Sequence, residues 1–165
     1  LHPRVRRQRQ MCIRDRDYPF ALLTSKSRYR LHSQLDSTAS NTFGNVEDRE
    51  PVWIHPQAAE KLGLKTGDVA LVESRRGKVL AGVIVTERIR PDTVVIHHGA
   101  WYCPEEPGDV DTLDLHGCDN VLTIDIPSSK LSCGNVANST QVRIKKYEGD
   151  LGEIYVHRQP KTTTL

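Results

Sequence analysis

Residues 50–96, EPVWIHPQAAEKLGLKTGDVALVESRRGKVLAGVIVTERIRPDTVVI, decide the fold. The apolar run 52–54 predicts a buried strand, and Pro56 suits the first turn of a helix, where its missing N–H would be unpaired. Gly63 can end that helix in the left-handed conformation of a C-terminal cap. The turn at residues 66–68 then leads into the predicted strands VALVES, VLAGVIVT and TVVIHH. Many short strands with one short helix predict a small closed barrel or sandwich.

The turns and strands around this stretch follow the same logic. The segment SRRGK predicts a hairpin turn with Gly77 at a positive φ. Phe20 to Thr24 predicts a buried strand, and VLTIDI (121–126) and TQVRIKKY (140–147) are β-branched or alternating in the manner of strands. EIYVH (153–157) predicts a last short strand, after which the chain is expected to fray.

The composition bounds the class of protein. The chain has 165 residues, 37% of them hydrophobic, which suits one small core. Lysine and arginine number 23 against 21 acids, a net charge of +2, so no global field favours nucleic acid. No apolar run approaches the roughly 20 residues needed to span a bilayer. We therefore expect neither a nucleic-acid partner nor a membrane span.

Three regions are expected along the chain. Residues 1–17 are basic and without periodicity, which predicts a disordered or non-native lead-in. A nucleic-acid-binding arm is the alternative for them, but interleaved aromatic residues for stacking are lacking. Residues 18–148 form the predicted barrel, and residues 149–165 form a C-terminal tail.

Three cysteines recur every fifteen residues, at Cys103, Cys118 and Cys133, and suggest zinc. Structural zinc sites take their ligands in close pairs such as CxxC, because one tight turn then presents two thiolates. Such pairs do not occur here. We expect isolated buried thiols and no metal ligand in this chain.

Four further motifs occur in order: RLHSQLD (30–36), REPVWIHPQAA (49–59), HHGAWYCP (97–104) and NVLTIDIPSSKL (120–131). Together with the barrel pattern they resemble the C-terminal molybdopterin dinucleotide-binding domain of the dimethyl-sulfoxide reductase family, a mainly β, double-psi β-barrel with short helices. Within that family, LHSQ, GAWY and SKL resemble the trimethylamine-N-oxide, dimethyl-sulfoxide and biotin-sulfoxide reductases.

The resemblance implies a fragment of an oxidoreductase that reduces S-oxides or N-oxides by oxygen-atom transfer. It implies bis-molybdopterin guanine dinucleotide as cofactor, with the molybdenum ligand outside this chain. The implied partners are the remaining domains of the parent enzyme, the oxide substrate and an electron donor protein. The parent is expected in the periplasm, with the cytoplasm as the alternative, and the chain alone is expected to catalyse nothing.

The candidate cofactor-binding residues carried over from the family are Thr24, Ser25, Lys26, His32, Ser33, Gln34, Trp101, Asn120 and Asn138. Hydroxyls, a cation and an amide suit phosphates and a pterin edge, whereas without the resemblance residues 25–34 would be taken as a solvated loop. Core packing is the equal alternative for Trp101. Asn120, placed just before a strand, could instead be a turn asparagine. Ser139 is the rival of Asn138.

Two other interpretations stay open at this point. The domain could belong to a nitrate reductase or formate dehydrogenase-like member acting on another substrate. A freestanding double-psi barrel that acts as an interaction or DNA-binding module would show the same core pattern, because the fold alone does not fix function.

Overall fold

The computed structural model describes residues 17–124, 127, 129, 131, 133–134 and 136–159. The basic segment up to residue 16, the end of the VLTIDI segment and residues 160–165 lie outside them. The regular elements follow in this order: β1 (Phe20–Leu23), α1 (Ala39–Thr42), β2 (Pro51–Ile54), α2 (Pro56–Leu62), β3 (Val69–Glu73), β4 (Lys78–Val85), β5 (Thr93–Ile96), β6 (Leu113–Asp114), the 3₁₀ helices Asp119–Val121 and Ala137–Ser139, and β7 (Gln141–Lys146).

Six of these strands close into a barrel. The pairing order is β2-β5-β1-β7-β3-β4, and β4 pairs back onto β2. The β1–β5 and β2–β4 pairs are parallel and the other pairs around the barrel are antiparallel. Closure satisfies the hydrogen-bonding groups that an open sheet would leave at its edges. The predicted mainly β barrel with short helices is confirmed.

The core forms because β-branched and leucine side chains alternate toward the barrel interior. The fully buried members include Leu22, Val52, Ile54, Val72, Val79, Val83, Val94, Ile96 and Val142. A second apolar cluster, with Leu71, Leu80 and Leu113, lies outside the barrel and is covered by residues 154–156. Among the described residues, no helix is both long and apolar enough to cross a membrane.

The helix signals in the sequence are confirmed. Pro56 stands in the first turn of α2, and Gly63 ends it with φ 65°. His55 caps the other end, because its ring nitrogen accepts a hydrogen bond from the Gln57 N–H at 3.2 Å.

The hairpin between β3 and β4 is confirmed, but the predicted positive φ at Gly77 is wrong. Instead, the Ser74 hydroxyl accepts hydrogen bonds from the N–H groups of Arg76 and Gly77, at 3.0 and 3.3 Å. Glycine is needed at position 77 for a different reason. A Cβ atom there would lie 2.7 Å from the side chain of Val121.

Two predicted strands are wrong in the described residues. Residues 119–121 form a 3₁₀ helix, because the Asp119 carbonyl accepts from both residues 122 and 123, so Asn120 lies within a helix and not before a strand. Residues 153–157 form no strand either. The side chains of this segment instead pack on the second apolar cluster, and the Tyr155 hydroxyl donates to the Pro104 carbonyl.

Candidate functional site

Two segments leave the same end of the barrel side by side. Strands β1 and β5 are parallel neighbours, with Leu23 opposite Val95, so the chains that follow them run together. The N–H of His98 donates to the Ser25 carbonyl at 3.0 Å, and a bridge joins Lys26 to His98. The predicted site residues 24–26 therefore lie against the segment 97–101.

Side chains tie these strand ends to their neighbours. The amide oxygen of Asn138 accepts hydrogen bonds from the N–H and the hydroxyl of Thr24, at 3.1 and 3.3 Å. The Ser25 hydroxyl lies 2.9 Å from Nδ1 of His97, whose pKa is lowered by burial. Asn138 is thus in direct contact with Thr24, whereas its rival Ser139 is the next residue along the chain.

A tight turn presents residues 32–34 beside this pair of segments. The Gln34 N–H donates to the Leu31 carbonyl at 2.9 Å, and His32 and Leu35 adopt positive φ values of 54° and 69°. The His32 backbone passes so close to Gly99 that a Cβ atom at position 99 would lie 2.0 Å from the His32 oxygen. The side chains of residues 32–34 are exposed and face solvent.

Trp101 lies on the rim of this site. Its indole Nε1 donates to the Ser33 carbonyl at 2.7 Å, and its side chain is 38% exposed. An indole in the barrel core would be buried, so the packing alternative is not what the geometry shows. One connected surface is formed by seven of the predicted site residues: Thr24, Ser25, Lys26, His32, Ser33, Trp101 and Asn138.

Asn120 is attached to this surface only through its neighbour. Its side chain is exposed, and its carbonyl accepts from the Thr123 hydroxyl at 3.4 Å. The preceding residue, Asp119, is buried, and its carboxyl group accepts a hydrogen bond from the Gly99 backbone. Asn120 therefore stands beside the 97–101 segment and not within the turn of residues 32–34.

A buried arginine lies beneath the site. Arg30 is 6% exposed and donates from NH2 to the carbonyls of His97 and His98, both at 3.1 Å. Its NH1 donates to Glu50 at 2.6 Å and to Asn41 at 2.9 Å. Burial of charge costs less when every donor finds an acceptor, and this arginine is satisfied by the groups that shape the site.

A buried carboxylate, Asp36, completes the network. Its Oδ2 accepts from the Trp101 N–H at 3.2 Å and lies 2.9 Å from Nε2 of His157. Its Oδ1 accepts from Asn41 at 3.2 Å and lies 3.3 Å from Arg30 NH1. No sequence motif assigns a role to Asp36 or His157, because their contact joins residues 121 positions apart and leaves no local pattern.

The electrostatics of this interior are set by burial. One guanidinium, that of Arg30, faces the carboxylates of both Asp36 and Glu50. Burial raises the pKa of Glu50 to about 7, and Arg30 opposes that shift only in part. Burial also raises the pKa of Asp119 and lowers that of His116. Burial thus favours the uncharged forms of Glu50, Asp119 and His116.

In the described part of the chain, one group could offer a metal three ligands: Asp36, His116 and His157, within 4.8 Å of one another. Their atoms are already engaged, since His116 Nδ1 lies 3.0 Å from the Trp101 carbonyl and His157 is bonded to Asp36. The nearby Arg30 cation also opposes a metal ion. The arrangement is typical of a structural hydrogen-bond network.

The three cysteines that the structure describes do not join that group. Cys103 and Cys118 are free and buried, and Cys133 is free and exposed. Burial raises the pKa of Cys118 to about 12 and also raises that of Cys103. Among the described residues, neither buried thiol belongs to a group of three potential metal ligands.

Comparison with known proteins supports the family that the sequence motifs resemble. The family model "Molydopterin dinucleotide binding domain" matches residues 20–141. The chain is 48% identical over 146 residues to the trimethylamine-N-oxide reductase of Haemophilus influenzae, covering 88% of this chain and 18% of the relative. It is 42% identical over 138 residues to trimethylamine-N-oxide reductase 1 of Escherichia coli, covering 83% of this chain and 16% of the relative.

A dimethyl sulfoxide/trimethylamine N-oxide reductase of Cereibacter sphaeroides is 36% identical over 144 residues, covering 87% of this chain and 18% of the relative. The chain thus spans less than a fifth of the length of these relatives. Among solved structures, acetylene hydratase from Pelobacter acetylenicus superimposes on 81% of this chain and 19% of its own, with a TM-score of 0.64 and 20% identity, which supports the fold. This chain belongs to the molybdopterin dinucleotide-binding domain family.

Proposed function

We propose that this chain is the cofactor-binding domain of a molybdenum oxidoreductase that reduces an S-oxide or an N-oxide. The observation that carries the proposal is the connected surface at one end of the barrel that holds Thr24, Ser25, Lys26, His32, Ser33, Trp101 and Asn138, with Gln34 exposed in the same turn as Ser33. It occurs in a chain 48% identical to a trimethylamine-N-oxide reductase. The relatives' names favour oxide reduction over the nitrate or formate alternatives.

The donor set fits bis-molybdopterin guanine dinucleotide, the cofactor that we propose. Lys26 supplies a cation and Thr24 and Ser25 supply hydroxyls, groups that suit a phosphate. The amide of Gln34 can donate and accept, which suits the edge of a pterin, and His32 lies beside it. The remaining proposed contacts are Ser33, Trp101, Asn120 and Asn138.

When bound, the molybdenum cofactor supplies the two-electron oxygen-atom transfer. The residues of this chain bind and orient it. Exposed polar side chains on a loop held by a rigid barrel are typical of binding sites, because the scaffold fixes the geometry. Trp101 adds an indole at the rim, where it can exclude water from the ligand edge.

The remaining parts of the enzyme are also proposals. Other domains would supply the molybdenum ligand and most of the substrate pocket, and a donor protein would supply electrons. We place the enzyme in the periplasm, with the cytoplasm as the alternative, and we expect the isolated chain to be inactive.

The test uses the full-length protein that carries this chain. His32→Ala and Gln34→Ala should each lower the molybdenum content per protein, since each removes a cofactor contact from an exposed side chain. Gln57→Ala, on the exposed face of α2, is the matched control and should keep wild-type content. Full molybdenum occupancy in both site variants would overturn the assignment of these two residues.

A further inference from the structure

We propose that Asp36 is a positioning residue for the cofactor site, acting through Trp101 on the loop that carries Gln34. The inference rests on the proposed function, because it assumes that residues 33 and 34 contact the cofactor. It adds a residue that touches no ligand and is completely buried.

The first step is a pair of hydrogen bonds from Trp101, one to Ser33 and one to Asp36, which we call the bracket. Trp101 holds Ser33 through its indole Nε1, at 2.7 Å from the Ser33 carbonyl, and holds Asp36 through its backbone N–H, at 3.2 Å from Oδ2. One residue thus fixes both ends of the four-residue segment 33–36. Gln34 and Leu35 lie between the two attachment points.

The bracket holds a strained backbone. Leu35 has a φ of 69°, which a leucine rarely adopts without support from its surroundings. The Asp36 carboxylate lies directly after it and is held in turn by Asn41 and Arg30. Loss of the Asp36–Trp101 bond should therefore let the turn relax and move the Gln34 amide.

The second step is a contact between Asp36 and the C-terminal part of the described chain. The segment that follows β7 brings His157 to the same Oδ2 atom at 2.9 Å, with its ring against those of Trp101 and His116 at 5.4 and 5.0 Å. Arg49 anchors this segment by donating to the Leu151 carbonyl. His157 therefore contacts the carboxylate oxygen of Asp36 that does not accept from Asn41.

The third step is the acceptor count. Hydrogen bonds from Trp101, His157 and Asn41 converge on the two oxygens of Asp36, and the Arg30 guanidinium forms an ion pair with Oδ1 at 3.3 Å. An asparagine has one oxygen, and its NH₂ group would face donors on the other side. Asp36→Asn thus keeps the shape of the side chain and breaks part of the bracket.

The experiment measures cofactor retention in the full-length holoprotein. We expect Asp36→Asn to lose molybdenum about tenfold faster than wild type on dilution, the factor expected when one hydrogen bond to a charged group is lost. Trp101→Phe, which keeps a ring but removes the indole donor, should have a similar effect. The double variant should be no worse than the worse single, because both changes break one bracket.

Two controls separate positioning from general stability. Val72→Ala creates a cavity in the barrel core, away from the loop, and should lower stability without faster cofactor loss. His157→Gln keeps a donor near the Nε2 position and should retain cofactor as wild type does, whereas His157→Ala should not. The visible spectrum of the bound cofactor should shift in Asp36→Asn and Trp101→Phe but not in Val72→Ala.

The outcomes are distinct. Additive effects of the two substitutions, or wild-type retention and spectrum in Asp36→Asn, would overturn the positioning role. If Asp36→Asn does not fold, the two His157 variants decide by the same readouts. If the wild-type protein itself contains no molybdenum, the proposed function is contradicted, and not only the positioning role of Asp36.

Discussion

The indole of Trp101 donates a 2.7 Å hydrogen bond to the backbone carbonyl of Ser33, 68 residues away in the sequence. The ring is part exposed, so this bond and the contact with His157 orient it, and core packing contributes less. The bond shows how the candidate site is assembled, since the loops that follow two parallel strands are joined by a side-chain donor on one and a main-chain acceptor on the other.

The close approach of Gly99 to His32 predicts a large effect of one methyl group. Gly99→Ala should destabilise the chain because a Cβ atom would lie 2.0 Å from the His32 oxygen, at a φ of 106°. Gly108 has a similar φ of 95° with open space around it, so Gly108→Ala carries only the backbone strain. The overlap should make Gly99→Ala worse by about 2 kcal/mol in denaturant unfolding. Equal losses in the two variants would contradict the close approach.

Asp114 is another buried carboxylate, and it joins the backbone at Cys103 to the turn at residues 117–118. It accepts hydrogen bonds from the N–H groups of Cys103, Gly117 and Cys118, each at 2.7 Å. Asp114→Asn places an NH₂ group against at least one of these donors, and should cost about 2 kcal/mol or more in unfolding free energy. The exposed Asp92 is the control, and Asp92→Asn should change stability by less than about 1 kcal/mol. A neutral effect of Asp114→Asn would refute this account of the turn.

Glu50 predicts a pH dependence of stability. Its pKa is raised from 4.5 to about 7 in the folded chain by burial, so the folded state holds a proton that the unfolded state has released between these values. Stability should therefore fall as the pH rises from about 4.5 to 7, by up to about 3 kcal/mol from this group. Glu50→Gln should remove that part of the slope in unfolding measured at several pH values. An unchanged slope in the variant would contradict the prediction.

The contact of Asn138 with Thr24 predicts that Asn138, and not its neighbour Ser139, supports cofactor binding. Asn138→Ala removes the acceptor for both Thr24 donors and should lower the molybdenum content of the full-length protein. Asn138→Asp keeps an acceptor oxygen and should retain more cofactor. Ser139→Ala is the matched control and should resemble wild type. A larger loss in Ser139→Ala would reverse the assignment.

The barrel could be predicted from the sequence because local patterns specify it. The β-branched alternation of β3 to β5 and the Pro56 and Gly63 signals each act within a few residues. The strand predicted at Val121 to Ile124 is wrong, although the β-branched residues there resemble those of a strand. There the Asp119 carbonyl closes a 3₁₀ turn instead, and the Leu122 side chain is buried.

The site could be predicted only in part. Residues 24–34 are ordinary loop residues, and the family motifs alone singled them out. Arg30, Asp36 and His157 were missed as its supports, because their contacts join distant parts of the chain and follow no sequence period. The feature that identifies such supporting residues is a charged side chain buried in the fold, and burial can be seen only in the three-dimensional structure.

The most direct test of the central claim is chemical analysis of the purified full-length protein. Acid hydrolysis should release GMP, and molybdenum should be measured on the same sample. Because two pterin guanine dinucleotides bind one metal in the proposed cofactor, the account predicts about two GMP per molybdenum. A protein that is folded and carries neither molybdenum nor guanine nucleotide would contradict it.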